Sequence, residues 1–581
     1  MPAQEDLTTE LDWNNLSVLP LGGQGELGQV LWVVSYKGEM LVIDAGAAYP
    51  TRDLPGVDLL VPNTSFLKAN EQRIRAVLLT NGNEEYSGAV PYLAKHITVP
   101  KIMAPIFVTC LIEQIKHDLP ADHALQTVEI QTVEIRRPYK IGVFTVEWIR
   151  VNDTVAEACA LHISAGAGEV IYTTSFKLDQ TPVGGQLADI SRLAKLGDKG
   201  VTLFIGPSAG VERTGYSQSE MTLYERLGAY IEKAPGRVLV LMAGTNTYRL
   251  QILFDLAKEY KRKLLLIGDV LKRCAVAAAM SGNLIYYPEL EMDPSELETL
   301  PDNETLIVAT GKEGEAFPVL VELASGRQEQ INTRAGDTII FSAELQPGRL
   351  RQMAMLLDQF LLSEITVYWG EEQGAHVTRH AGQEELKLLL SLICPQYFVP
   401  AFGEGRHIMH HAKLAQDWGM DAEVVFPLQN GQILTIANGA ASIKGRVEHQ
   451  SVLINRHKGE LVTTFTVNER RAMSQEGLIT ASLVIDKAGL LLSGPKFNCG
   501  AASFRHSNQW QEACQQMSEK ILVAMEEASV NESGKEVRLD QVAIRAIVRE
   551  IANKTLRAQL QTKPVLQIVI QQLATNCLQY E

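Results

Sequence analysis

Residues 78–91, LLTNGNEEYSGAVP, bring Asn81, Asn83, Glu84, Glu85 and Tyr86 together in one short stretch. The run before them, residues 75–79, is apolar and β-branched and reads as a buried strand; Gly82 breaks it, and a helix over residues 86–96 follows. Carboxylate and amide oxygens suit a hard cation, so magnesium or manganese could use Glu84, Glu85 and Asp153. Such an ion wants several oxygens in octahedral array, and only two or three candidates converge here. His407, His410 and His411 have the i, i+3, i+4 spacing that can set two imidazoles on one metal. Their helix also carries Ile408, Met409, Leu414 and Trp418, and histidines near a helix start are commonly hydrogen-bonded, so no zinc site is assigned to them. Gly22, Gly23, Gly25 and Gly28 form a tight turn rather than a phosphate cradle, because no helix start follows them. Asp44 ends a buried strand, where it caps or orients a neighbour.

These residues need a large scaffold. A chain of 581 residues with 46% hydrophobic content supports three or four filled cores at ~150 residues each. The formal charge of −15 excludes a protein coated in basic surface but not a local basic channel along a phosphate backbone. Cysteines at 110, 159, 274, 394, 499, 514 and 577 form no CxxC pair and read as reduced thiols. The N-terminus, MPAQEDLTTELDWNN, is acidic and polar, and no apolar run reaches the ~18 residues of a membrane helix, so a cytoplasmic protein is expected. Hairpin-like strands fill residues 16–47. Strands and helices alternate to residue 117, and β-pattern dominates from Thr127 onward, an αββα sandwich in outline. From Glu212 to Gly374 the alternation reads as a parallel, doubly wound insertion.

GGQGELG, LVIDAGAAYP, LPGVDLLVPNTSFL, VLLTNGNEEYSGAVPYL and FKLDQTPV stand in the order and spacing of ribonuclease J, and the chain resembles that family over nearly its whole length. TNTYRLQ, GDTIIFS, HVTRHAGQEELKLLL, FVPAFGEG, RRAMSQEGLITASLVI and LLLSGPKF extend the resemblance. It implies an α/β protein: a metallo-β-lactamase αββα sandwich with an inserted β-CASP domain and a small C-terminal α/β domain. The expected parts are residues 1–211 and 375–437 for the sandwich, 212–374 for the insertion, 438–455 for a linker and 456–581 for the C-terminal domain.

The family's two zinc ions sit on histidines and aspartates, and the resemblance places those ligands at Asn81, Asn83, Glu85, Tyr86, Asp153, Ser175 and Phe402. None keeps the family's residue. Asparagine is a poor zinc ligand and phenylalanine is none, and losing the bridging carboxylate removes the charge that holds two dications together. No metal cofactor is therefore expected, unless magnesium or manganese uses Glu85 and Asp153; Tyr86 and Phe402 are expected to fill the emptied space. Pro207 departs from an acidic position of the family as well.

Substrate-binding positions are better kept. His376 and His380 match the family segment that holds RNA phosphate, with Thr378 and Arg379 between them, and Arg379 is expected to add a bidentate phosphate donor. Asn246 and Arg249 also match, with Tyr248 replacing a histidine. The alternative is that these residues pack a domain junction, which needs polar partners too. The expectation is a catalytically dead relative that binds RNA or scaffolds, as a homo-oligomer or with an active homologue, and takes neither DNA nor membrane. An active metal-dependent ribonuclease with an oxygen-rich site and a pure protein-interaction module are the alternatives.

Overall fold

A computed structural model describes residues 11–50, 54–311, 314–346, 348–455, 460–487, 489–500, 502–529 and 539–573; the first ten residues and Cys577 lie outside them. Two compact units divide the chain, Met1–Tyr49 with Leu59–Val452, and Pro50–Asp58 with Leu453–Glu581.

The first unit contains two facing sheets. One has eight strands and runs from Ala440–Arg446 through Leu16–Gly22, Glu39–Ile43 and Ile74–Leu78 to Glu129–Thr132. The other has six, from Pro395–Ala401 through Val201–Pro207, Gly168–Thr173 and Phe144–Arg150 to Pro138–Ile141. Their inner faces share one core, with Trp32, Val34 and Leu78 from the first meeting Trp148, Leu161 and Tyr172 from the second. Helices cover the outer faces: Val90–His96 and Ile106–Asp118 lie on one side, and Ile190–Lys199, Gln383–Ile393 and Gly405–Asp417 on the other. Strands buried on both faces explain the near-continuous apolar runs in the sequence.

The insertion is a five-stranded, wholly parallel sheet with Val238–Met242 at its centre. Helix Thr247–Glu259 packs on one face, and Ala316–Ala324 with Leu350–Leu362 on the other. In the second unit, strand Leu478–Ile485 pairs antiparallel with Leu491–Gly500 and parallel with Val565–Gln572, under helices Asn508–Ala528 and Gln541–Leu560.

Two local expectations differ from what forms. The helix expected over residues 86–96 is two, Glu84–Ser87 and Val90–His96. Asn83 caps the first by accepting from the Glu85 N–H, and Pro91 begins the second; between them the Ala89 N–H donates to the Ala45 carbonyl, 2.7 Å away. The polar stretch expected to be a linker opens with the strand Ala440–Arg446. Asn438 and Gly439, with φ of 52° and 77°, make the two-residue turn that returns it on Gln432–Ala437.

Candidate functional site

The site lies at the strand ends of the sandwich, and a buried carboxylate frames it. Asp44 follows Glu39–Ile43 with φ of 59° and accepts from the Thr80 N–H (2.8 Å), the Thr80 hydroxyl (2.9 Å) and the Tyr172 hydroxyl (2.6 Å). Burial drives its pKa up to about 7, against these hydrogen bonds. One turn on, the backbone at Gly46 passes so close to Glu85 that a Cβ would stand 1.6 Å from its carbonyl oxygen, so only glycine fits. The loop bearing Asn81–Tyr86 is thereby pinned to the strand beside it.

All seven positions assigned to metal ligands converge here. The Asn81 amide is engaged at both ends: it donates to Asp153 Oδ2 at 2.7 Å and Thr174 Oγ1 at 3.2 Å, and accepts from the Asn83 N–H at 2.9 Å. Asn83 is the helix cap described above. The Tyr86 hydroxyl lies 2.6 Å from Ser175 Oγ and accepts from the Ser175 N–H at 3.0 Å; burial pushes the phenol up to about 12. Phe402, held at φ of 54°, packs edge-on against Tyr172 (5.3 Å), Tyr86 (6.1 Å) and Trp32 (6.1 Å). The cavity left between Glu26, Tyr86, Ser175, His380 and Phe402 is about 10 Å³, the room of about one water.

The guanidinium of Arg379 closes the arrangement. Nη2 donates to Ser175 Oγ at 3.2 Å and stands 3.3 Å from Glu85 Oε2; Nε stands 3.6 Å from Asp153 Oδ1; and the group lies over the Tyr86 ring at 5.9 Å. Burial opposes its charge, but Asp153 and then Glu85 raise its pKa above the ordinary value. A zinc pair does not fit this donor set. Its two carboxylates face a fixed cation, its amide oxygens already accept backbone N–H groups, and an aromatic ring takes one ligand position. Among the described residues, no group of three or more His, Cys, Asp or Glu side chains is disposed to hold a metal.

The six residues assigned to substrate divide. His380 lines this cavity, and Arg379 lies beside it with its guanidinium against Ser175, Glu85 and Asp153, turned to carboxylates rather than left open for phosphate. Burial and then Arg379 hold the His380 imidazole well below its ordinary pKa. The other four sit beneath the insertion. Asn246 caps Thr247–Glu259 by accepting from the Arg249 N–H at 2.9 Å. Arg249 forks onto both oxygens of Glu220 (2.8 and 2.9 Å) and meets His376 Nδ1 at 3.0 Å; Lys177, 3.8 Å from Glu220, donates to the carbonyls of Gln218 and Thr378. Glu220 and Lys177 were not marked by sequence: both stand in polar stretches, YSQSEMT and TTSFKLDQT, where nothing local sets them apart from surface groups. The three helix histidines diverge: His411 meets Ser208 Oγ at 3.0 Å, while His407 and His410 flank Glu212.

The described sandwich with its parallel insertion defines a metallo-β-lactamase fold carrying a β-CASP domain. The family profile for the ribonuclease J beta-CASP domain matches residues 235–360, and that for the ribonuclease J C-terminal domain matches residues 465–573. Ribonuclease J of Synechocystis sp. is 29% identical over 558 residues, spanning 96% of this chain and 86% of that protein. Ribonuclease J 1 of Streptococcus pyogenes is 30% identical over 485 residues, spanning 83% of this chain and 85% of that one. A crystal structure of a protein of unknown function from Enterococcus faecalis aligns over 72% of this chain and all of its own, with a TM-score of 0.50 and 16% identity, a likeness of fold. The chain belongs to the ribonuclease J family.

Proposed function

We propose that this chain acts in RNA metabolism as a non-catalytic, pseudoenzyme member of its family: a cytoplasmic RNA-binding or scaffolding subunit, assembled with itself or with an active homologue. One observation carries the reading. The seven positions where the resemblance puts metal ligands are filled by side chains that bond and pack with one another. A phosphodiester hydrolase of this fold needs a metal-activated water near the phosphorus, and this site offers neither the ligands nor the room. Family membership supports RNA as the partner, and His380 at the small cavity keeps one of the side chains assigned to phosphate.

The alternative is an active ribonuclease with an oxygen-rich magnesium or manganese site at Glu85 and Asp153. Both carboxylates do converge, but on Arg379. The test is binding and cleavage of 5′-monophosphorylated RNA by the purified chain, with zinc, manganese or magnesium added. The proposal expects retention of RNA at low salt, release as salt rises, and no cleavage with any ion. Cleavage abolished by Asp153→Ala would establish the alternative; no retention at any salt would leave a protein-interaction role instead.

A further inference from the structure

The charges of the site must balance without a metal. Asp153 is buried, and Glu85, which faces the same guanidinium, is partly buried. Asp153 receives the Asn81 amide and the Thr154 N–H (2.6 Å), neutral donors that leave its charge uncancelled. The cation nearest to both carboxylates is Arg379, whose Nε is buried and lacks a hydrogen-bond partner while it faces Asp153 at 3.6 Å. Three of its neighbours, Glu85, Asp153 and Ser175, and the ring beneath it, Tyr86, are all positions where the resemblance puts metal ligands.

We infer that Arg379 is the site's own cation: its guanidinium takes the charge-balancing place of a metal pair, holds Glu85, Asp153 and Ser175 together, and bars divalent ions from the two carboxylates. Two mechanisms combine. A guanidinium fills the volume an ion and its waters would need, and it repels a dication at contact distance. The arrangement also ties the segment after the insertion to two strand ends of the sandwich, a task an ion would otherwise perform. The inference rests on the metal-free reading of the site and is independent of RNA binding.

The experiment uses the full-length chain and compares wild type, Arg379→Lys, Arg379→Met and the charge-neutral triple variant Glu85→Gln/Asp153→Asn/Arg379→Met. Melting is followed with EDTA or manganese, and manganese uptake by electron paramagnetic resonance. Wild type and Arg379→Lys should melt alike with either addition and take up no manganese. Arg379→Met should melt about 5 °C or more lower, because a buried carboxylate loses its partner. Manganese or the triple substitution should recover that loss. The inference is overturned if Arg379→Met melts like wild type without binding manganese, if neither manganese nor the triple substitution rescues it, or if wild type binds manganese through Asp153. Should Arg379→Met fail to fold, the triple variant decides: folding supports the inference and failure to fold removes it. RNA retention is not among these readouts, so a chain that binds no RNA would sink the proposed function and leave this inference standing.

Discussion

The site where the seven assigned ligand positions meet and the junction beneath the insertion are both buried and polar, yet they are stabilised in different ways. At the junction Lys177, Glu220, Arg249 and His376 form a chain of ionic and hydrogen bonds, with Arg249 Nη2 donating to both oxygens of Glu220 and Nη1 meeting His376. At the assigned ligand positions Phe402 packs edge-on against Tyr86 and Tyr172, and one guanidinium answers two carboxylates. Arg249 and His376, which the resemblance assigns to substrate, are partners in the junction's chain. At positions that the resemblance assigns to metal ligands, Tyr86 and Phe402 pack ring against ring, and an unfilled, charged cavity would be the costlier state.

The contrast can be broken from either side. Glu220→Gln strands the charges of Arg249 and Lys177 in the interior and should destabilise the first unit by about 3–5 kcal/mol in denaturant unfolding. Phe402→Ala removes the ring between Trp32, Tyr86 and Tyr172 and should cost about 3 kcal/mol, less whatever the neighbours recover by collapsing inward. A loss below about 1 kcal/mol at Phe402 would mean the cavity is not closed by packing.

Asp44 sharpens the contrast through pH. Its folded pKa, near 7, lies above the unfolded value of 3.8, so the native state holds the proton longer. Its contribution is whole below pH 4 and is lost as pH rises toward and through 7, at about 1.4 kcal/mol per unit at most. Asp44→Asn should flatten that part of the stability profile; an unchanged slope between pH 4 and 7 would assign the titration elsewhere. The smallest effect belongs to Tyr86→Phe, which leaves the Ser175 N–H and hydroxyl short of one partner and should cost about 1 kcal/mol.

Much of the scaffold was legible because its signals are local. Strand periods, the break at Gly82 and the alternation of the insertion each depend on a few neighbouring residues. The hairpin at Asn438-Gly439 carried an equally local signal, obscured by the polar residues around it. The seven positions that the resemblance assigned to ligands come together in space, and the packing of Tyr86 on Phe402 followed from their bulk. The placing of Arg379 was harder to read, since Ser175 lies 204 positions earlier and nothing local marks the contact. Charge arithmetic held the clue: Glu85 and Asp153, brought together without histidines beside them, require a cation, and Arg379 stands where the chain returns to the sandwich. Glu220 and Lys177 needed the same reasoning across the junction.

The central claim is that this site is closed to metal by its own side chains. Elemental analysis after equilibration with zinc and then manganese, on wild type beside Asp153→Asn, tests it most directly. The account predicts well under one ion per chain in both proteins. One or two ions per wild-type chain, lost with Asp153→Asn, would contradict it and return the site to metal chemistry.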